Sequence, residues 1–238
     1  MNLDELISVL TNLLDEDGVR RTEADLTTSL NNSYHTIAVV TQACEHTKTF
    51  TYNGDQHFQF LSGDFFVPVN VHFDGTRLYP QRIADFDLLS SSWMSDDAST
   101  PIYYATMCSL KQYPELWLYP RPSANGTIRM TYAQIPAPMQ LGSDTPLFPR
   151  EHHGVIIWWA YVWELLKERG YLLAGKAFQT LLRFIEEANR LQQYIYRRTP
   201  DRDWITAPWD IEAVKRKLLD FEQRVPPTPQ VEAQDLMR

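Results

Sequence analysis

Glycine is scarce in this chain, nine among 238 residues, and cysteine scarcer still, with Cys44 and Cys108 alone. So few glycines leave no phosphate-cradling loop of the P-loop or dinucleotide-binding type, whose spacings are missing throughout. The two cysteines lie in apolar contexts without metal-ligand spacing, so both are expected as buried, reduced thiols. Long hydrophobic runs are also lacking: the longest, Val155 to Trp163, spans about half a bilayer. The N-terminal stretch MNLDELISVL is acidic and has no cleavable apolar run. The chain is therefore expected to be soluble, away from membranes, and made in a reducing compartment. Without a secretion route, the glycosylation patterns at Asn31 and Asn125 carry no weight.

Catalytic sets are missing as well. His152 and His153 are adjacent, which on a helix turns them about 100° apart and unsuits them to chelate one ion. No HExxH pair and no G-x-S-x-G elbow occurs. The acid pairs Asp96-Asp97 and Glu186-Glu187 read as a solvated loop and an exposed helix face. The expectation is a non-enzyme with no catalytic residues, no metal and no cofactor. A formal charge of −8 argues against a nucleic-acid-binding surface, which needs a basic stripe, yet is compatible with a passage that DNA slides through.

What the chain does have is aromatic residues, 13% with seven Trp, which fill cores and anchor protein–protein interfaces. Helical spacing comes first. Asn2 with Glu5, and Thr22 with Asp25, are reciprocal caps ahead of the apolar stripes Leu3-Leu6-Ile7-Leu10-Leu13-Leu14 and Leu26-Leu30-Tyr34-Ile37-Cys44. Asp17-Gly18 separates the two. From about Thr47 the period becomes two, with turns expected at Asn53-Gly54, Asp74-Gly75 and Asn125-Gly126. The last is expected to close Leu116–Tyr119 and Ile128–Tyr132 into a hairpin. Pro120 and Pro122 would withhold donors at its end, and Pro136 and Pro138 would stiffen its exit. Helix returns after Pro146 and Pro149. GVIIWWAYVWELL is apolar almost all round, as a helix buried between others would be. A long helix follows, with Leu173, Ala177, Leu181, Ile185, Ala188, Leu191 and Ile195 as its stripe, ending at Thr199-Pro200. A short amphipathic helix near Ile211 to Phe221 precedes a tail, VPPTPQVEAQDLMR, too polar and proline-rich to fold alone.

The expected class is α+β: a helical bundle of two N-terminal and two C-terminal helices, an inserted antiparallel β domain and an extended C-terminal arm. The expected boundaries are 1–46, 47–147, 148–198 and 199–238. The basic groups Arg197, Arg198, Arg202 and Lys215, Arg216, Lys217 read as complements to helix C-termini. Trp204 and Trp209 sit in the proline-broken arm, where they either fold back on the bundle or enter a partner's pocket.

The succession FFVPVNVHFDGTRLYP, TPIYYATMCSLKQYPELWLYPRPSANGTIRMTYAQIPAP and LFPREHHGVIIWWAYVWELL resembles tailed-phage head-to-tail adaptor proteins, most of all the tail-tube adaptors of short-tailed phages. The likeness covers about residues 1 to 198. It implies a virion protein, assembled in the host cytoplasm, in which a bundle carries an inserted β domain. It further implies a ring of twelve copies beneath the portal, leaving a channel through which double-stranded DNA passes. Its partners would be other copies, the portal protein, and a downstream tail nozzle or tube protein. Portal contact would fall on the arm around Trp204, Trp209, Phe221 and Leu236. The other reading is a carbohydrate- or peptide-binding tail or baseplate module, with Trp93, Tyr103 and Tyr104 lining a groove.

Overall fold

The computed structural model describes residues 1–15, 19–54, 58–98, 100–108, 114–168 and 175–198, with 212, 213, 216 and 217. Its helices are α1 (Leu3–Asp15), α2 (Glu23–Thr41), α3 (Ile83–Leu89), α4 (Gly154–Glu168) and α5 (Lys176–Arg198). Both expected caps form. The Glu5 amide donates to Asn2 Oδ1 at 2.9 Å, and the Asn2 amide donates to Glu5 Oε2 at 3.2 Å. The Asp25 amide donates to Thr22 Oγ1 at 3.2 Å, and the Thr22 amide to Asp25 Oδ2 at 3.4 Å. Such caps satisfy amides that the first turn leaves without intrahelical partners, and each stabilises by about 1 kcal/mol.

α1, α2, α4 and α5 share one core. Leu6, Leu10, Leu30, Ile37, Ile156, Ala160 and Leu191 are all buried in it. Burying a leucine or isoleucine side chain stabilises by about 1.5–3 kcal/mol, which is why the two N-terminal helices hold their place beside helices far away in sequence. α4 is the central element, contacting α1, α2 and α5, as its all-round apolarity requires.

The β strands are β1 (Glu45–Tyr52), β2 (Phe58–Phe60), β3 (Phe65–Phe73), β4 (Thr76–Arg77), β5 (Tyr79–Pro80), β6 (Asp97–Ala98), β7 (Tyr103–Cys108), β8 (Pro114–Tyr119), β9 (Arg121–Pro122) and β10 (Gly126–Gln134). One sheet has the order β1-β10-β3-β4, a second β2-β8-β7-β5, and β6 pairs with β9. Tyr52, Val71, Phe73, Ile128, Met130 and Tyr132 of the first sheet pack against Tyr104, Leu116 and Leu118 of the second. This is a sandwich whose inner residues alternate with outward ones along each strand. The second sheet is covered on its outer side too: α3 and a turn at Trp93–Ser95 set Phe86 and Trp93 on Ala105, Trp117 and Tyr119. No period-two or heptad signal marked α3, which is seven residues long.

The turn at Asp74-Gly75 forms as expected, with φ of 45° and 82° and His72 paired to Arg77. The other two expected hairpins do not form. β1 and β2 lie in different sheets, and so do β8 and β10. Gly54 and Gly126 are needed for close approach instead. A Cβ on Gly126 would lie 2.1 Å from the Phe73 ring, and one on Gly54 would lie 2.8 Å from the Ala124 backbone. The two Asn-Gly dipeptides meet each other where the chain crosses between sheets, the Gly54 amide donating to Asn125 Oδ1 at 3.0 Å. The prolines at 120 and 122 do not end pairing either. Arg121, the one residue between them with an amide hydrogen, donates it to Asp96 O at 3.0 Å, and β9 runs parallel to β6.

Candidate interfaces around the bundle and the root of the arm

The segment leaving β10 is tied to the bundle by side chains of α2. The Met139 amide donates to Asn31 Oδ1 at 2.8 Å, and Asn31 Nδ2 donates to the Met139 carbonyl at 2.9 Å. The Leu147 amide donates to the Tyr34 hydroxyl at 2.9 Å. His153 is buried, and its Nε2 bonds the Phe148 carbonyl at 2.8 Å, while burial first of all holds its pKa below the ordinary histidine value. His152 packs against Tyr194 at 5.0 Å between centroids, so the two histidines serve different contacts. Between sheet, connecting segment and α5 lies an open cleft of about 620 Å³, edged by Glu45, Thr131, Phe148, Tyr194 and Arg198.

That cleft marks the root of the arm. Arg198 Nη1 donates to the Tyr194 hydroxyl at 2.6 Å and its guanidinium lies over the Tyr194 ring. Asn189 Nδ2 donates to Glu212 Oε1 at 2.8 Å, which brings the chain back against α5 after residue 198. Residues 212, 213, 216 and 217 are helical, within the amphipathic helix expected near Ile211 to Phe221. Trp204, Trp209, Phe221 and Leu236 lie outside the described residues, as do the breaks at Asp17-Gly18 and Gly170.

Within α4, Glu164 is fully buried and ionised. Its Oε2 accepts from Arg21 Nε at 2.6 Å, and its Oε1 accepts from Lys167 Nζ at 2.7 Å and from the Ser29 hydroxyl. Burial opposes the charge, but the hydrogen bonds from Lys167, Ser29 and Arg21 outweigh it and hold the carboxyl below the usual glutamate range. Arg21 also reaches Glu168 at 3.1 Å. This network pins the start of α2 to α4. No local pattern marked it, since Arg21 and Ser29 lie more than 100 residues from Glu164 and Lys167.

Reactive chemistry has no foothold in the cysteine: burial pushes the Cys44 thiol up to about 12. The side chain of Cys108 lies outside the described residues. The aromatic groove suggested by Trp93, Tyr103 and Tyr104 is not there. Trp93 and Tyr104 are core residues, the former donating its indole N–H to Asp87 Oδ1 at 2.8 Å, and Tyr103 packs with Tyr119. Period two placed Tyr103 and Tyr104 on a strand but could not say that α3 would cover the outer face. Exposed apolar side chains lie elsewhere, at Phe60, Leu88, Met94 and Leu147.

No helix among the described residues is long and apolar enough to cross a membrane. The described residues thus build a helical core and a sandwich core, with an arm rooted beside an open cleft. The family model described as SU10 adaptor protein matches residues 1–212. The chain belongs to the SU10 adaptor protein family. It is thereby a phage adaptor, a structural component of the virion. The match runs through both cores and past α5 to Glu212, so this adaptor's β sandwich lies within the matched region. No curated protein matches the chain.

Proposed function

We propose that this adaptor forms a ring, of twelve copies, beneath the portal vertex of a short-tailed phage. The ring joins the capsid to the tail and leaves an axial channel through which double-stranded DNA passes. The division into bundle halves 1–46 and 148–198, β domain 47–147 and arm 199–238 assigns the roles. Bundle and sandwich build the ring wall, and the arm reaches the portal through Trp204, Trp209, Phe221 and Leu236. A downstream nozzle or tube protein seats on the far face. Assembly takes place in the host cytoplasm, and neither metal nor cofactor takes part.

The observation that carries this reading is the adaptor-family match over residues 1–212. The acidic charge of −8 agrees with a channel wall that does not hold DNA. Aromatic side chains in an arm beside an open cleft agree with hot-spot anchoring in a partner's pockets. Mixing the purified chain with portal rings and imaging the product tests it. One added ring of twelve subunits per portal is expected, and no added density on the portal overturns it.

A further inference from the structure

The edges of the two sheets differ sharply. Among the described residues, β2 has three residues, β4 two and β5 two with Pro80, all too short or too blunted to accept another strand. β1 has eight, with no proline and no bulge against β10, and its residues 45 to 49 are all exposed. Its hydrogen-bonding direction is fixed by two bonds. The Gln134 amide donates to Cys44 O at 2.7 Å, and the Asp74 amide donates to Thr127 O at 2.9 Å. In an antiparallel ladder these alternate, so even-numbered residues of β1 bond β10. Thr47, Thr49 and Thr51 therefore aim their backbone N–H and C=O groups outward, away from the sheet.

We propose that this edge pairs with β1 of a second copy, antiparallel about a two-fold axis at Thr49. Outward-bonding residues must face one another, so only registers with an even sum of residue numbers are allowed. The register that sets Thr49 opposite Thr49 pairs residues 46 to 52 of each strand. It sets Thr47 opposite Thr51 on the outer face, and Lys48 opposite Phe50 on the inner face. No like charges meet, and hydroxyl pairs of this kind are favourable, as Thr47 and Thr131 already show with Oγ atoms 2.9 Å apart. Slipping by one residue per copy toward the N-terminus sets Lys48 against Lys48 and is disfavoured. Phe50, Lys48 and exposed Phe60 edge a small cleft between the sheets, and the second copy's Lys48 and Phe50 would close over it. The inference concerns the free chain and stands apart from the ring reading.

Three variants test it in the full chain, by sedimentation equilibrium and circular dichroism. The parent chain is expected to sediment at twice the monomer mass at micromolar concentration. Thr49→Pro removes an outward amide that β10 does not use, so the mass should halve with the spectrum kept; Lys48→Pro removes an inward amide and should disturb the spectrum. Should Thr49→Pro unfold, Thr47→Lys/Thr51→Lys sets lysines opposite one another and should dissociate the pair at least tenfold. Thr47→Glu/Thr51→Lys should restore it. Thr49→Cys should give a covalent dimer on oxidation, since hydrogen-bonded antiparallel pairs lie about 5.5 Å apart at Cα, within disulfide reach. A monomeric parent, dimers that survive these variants, or an edge that takes up only a strand of another protein would each overturn the proposal. A portal-bound ring failing to form would leave it untouched.

Discussion

Glu164 offers the sharpest quantitative test of how the bundle is held together. Replacing it with Gln keeps the shape but leaves one oxygen where two were bonded, so the new amide N–H₂ faces donors. Two charge-assisted bonds are weakened, each of about 1.5–3 kcal/mol. Arg21 and Lys167 retain 21% and 42% exposure and can turn to water, which recovers part of the loss. The expected cost of Glu164→Gln is therefore about 2–3 kcal/mol. For a chain of this size that is a fall in Tm of about 4–12 °C. Arg21→Met/Lys167→Met should cost more, about 3–5 kcal/mol, because it strands a buried carboxylate with no compensating charge. Adding Glu164→Leu to that pair should recover most of the loss. The pH dependence follows from the same contacts. The folded carboxyl lies below its ordinary value of 4.5. Its contribution is therefore complete above that value and lost as pH falls through the folded pKa. Urea unfolding at pH 7 and in steps down from pH 5 measures both effects. If Glu164→Gln costs under 0.5 kcal/mol (about the scatter of ordinary surface substitutions), or leaves the acid slope unchanged, the network does not hold α2 on α4.

Asn31→Ala removes both bonds to Met139 and buries neither partner elsewhere; a loss of about 1–3 kcal/mol is expected in the same unfolding assay. Gly126→Ala drives a methyl into the Phe73 ring and should cost about 1–3 kcal/mol, whereas Gly63→Ala, with open space around it, should cost well under 1. Trp204→Ala and Trp209→Ala should weaken portal binding at least tenfold, read by co-sedimentation with portal rings, while leaving the urea midpoint unchanged.

Much of the architecture was legible because its causes are local. The caps at Asn2 and Thr22, the stripes of α1 and α2 and the apolar girth of α4 each follow from neighbours within a turn or two. The Asp74-Gly75 turn was legible for the same reason. The failures share a different cause. An Asn-Gly dipeptide supplies a tight turn, but it equally supplies the bare backbone that lets Gly126 sit under Phe73, and only the partner strand decides between them. Trp93 stood out by residue type and Tyr104 by its place in a period-two run, yet whether such residues are groove or core depends on what covers them, here α3 and the opposite sheet. Glu164 resembles any helix-surface acid until Arg21 and Ser29 arrive from the first quarter of the chain. The arm's tryptophans stood out by composition alone, and on the proposed reading it is a partner's pocket that receives them.

The central claim is that this adaptor completes its ring on a portal, and electron microscopy of portal rings incubated with the purified chain tests it most directly. The account predicts one additional ring of twelve copies, coaxial with the portal, with an open channel and the arm residues against portal density. Portal rings that remain bare at saturating adaptor, or adaptor density that blocks the axis, would contradict it.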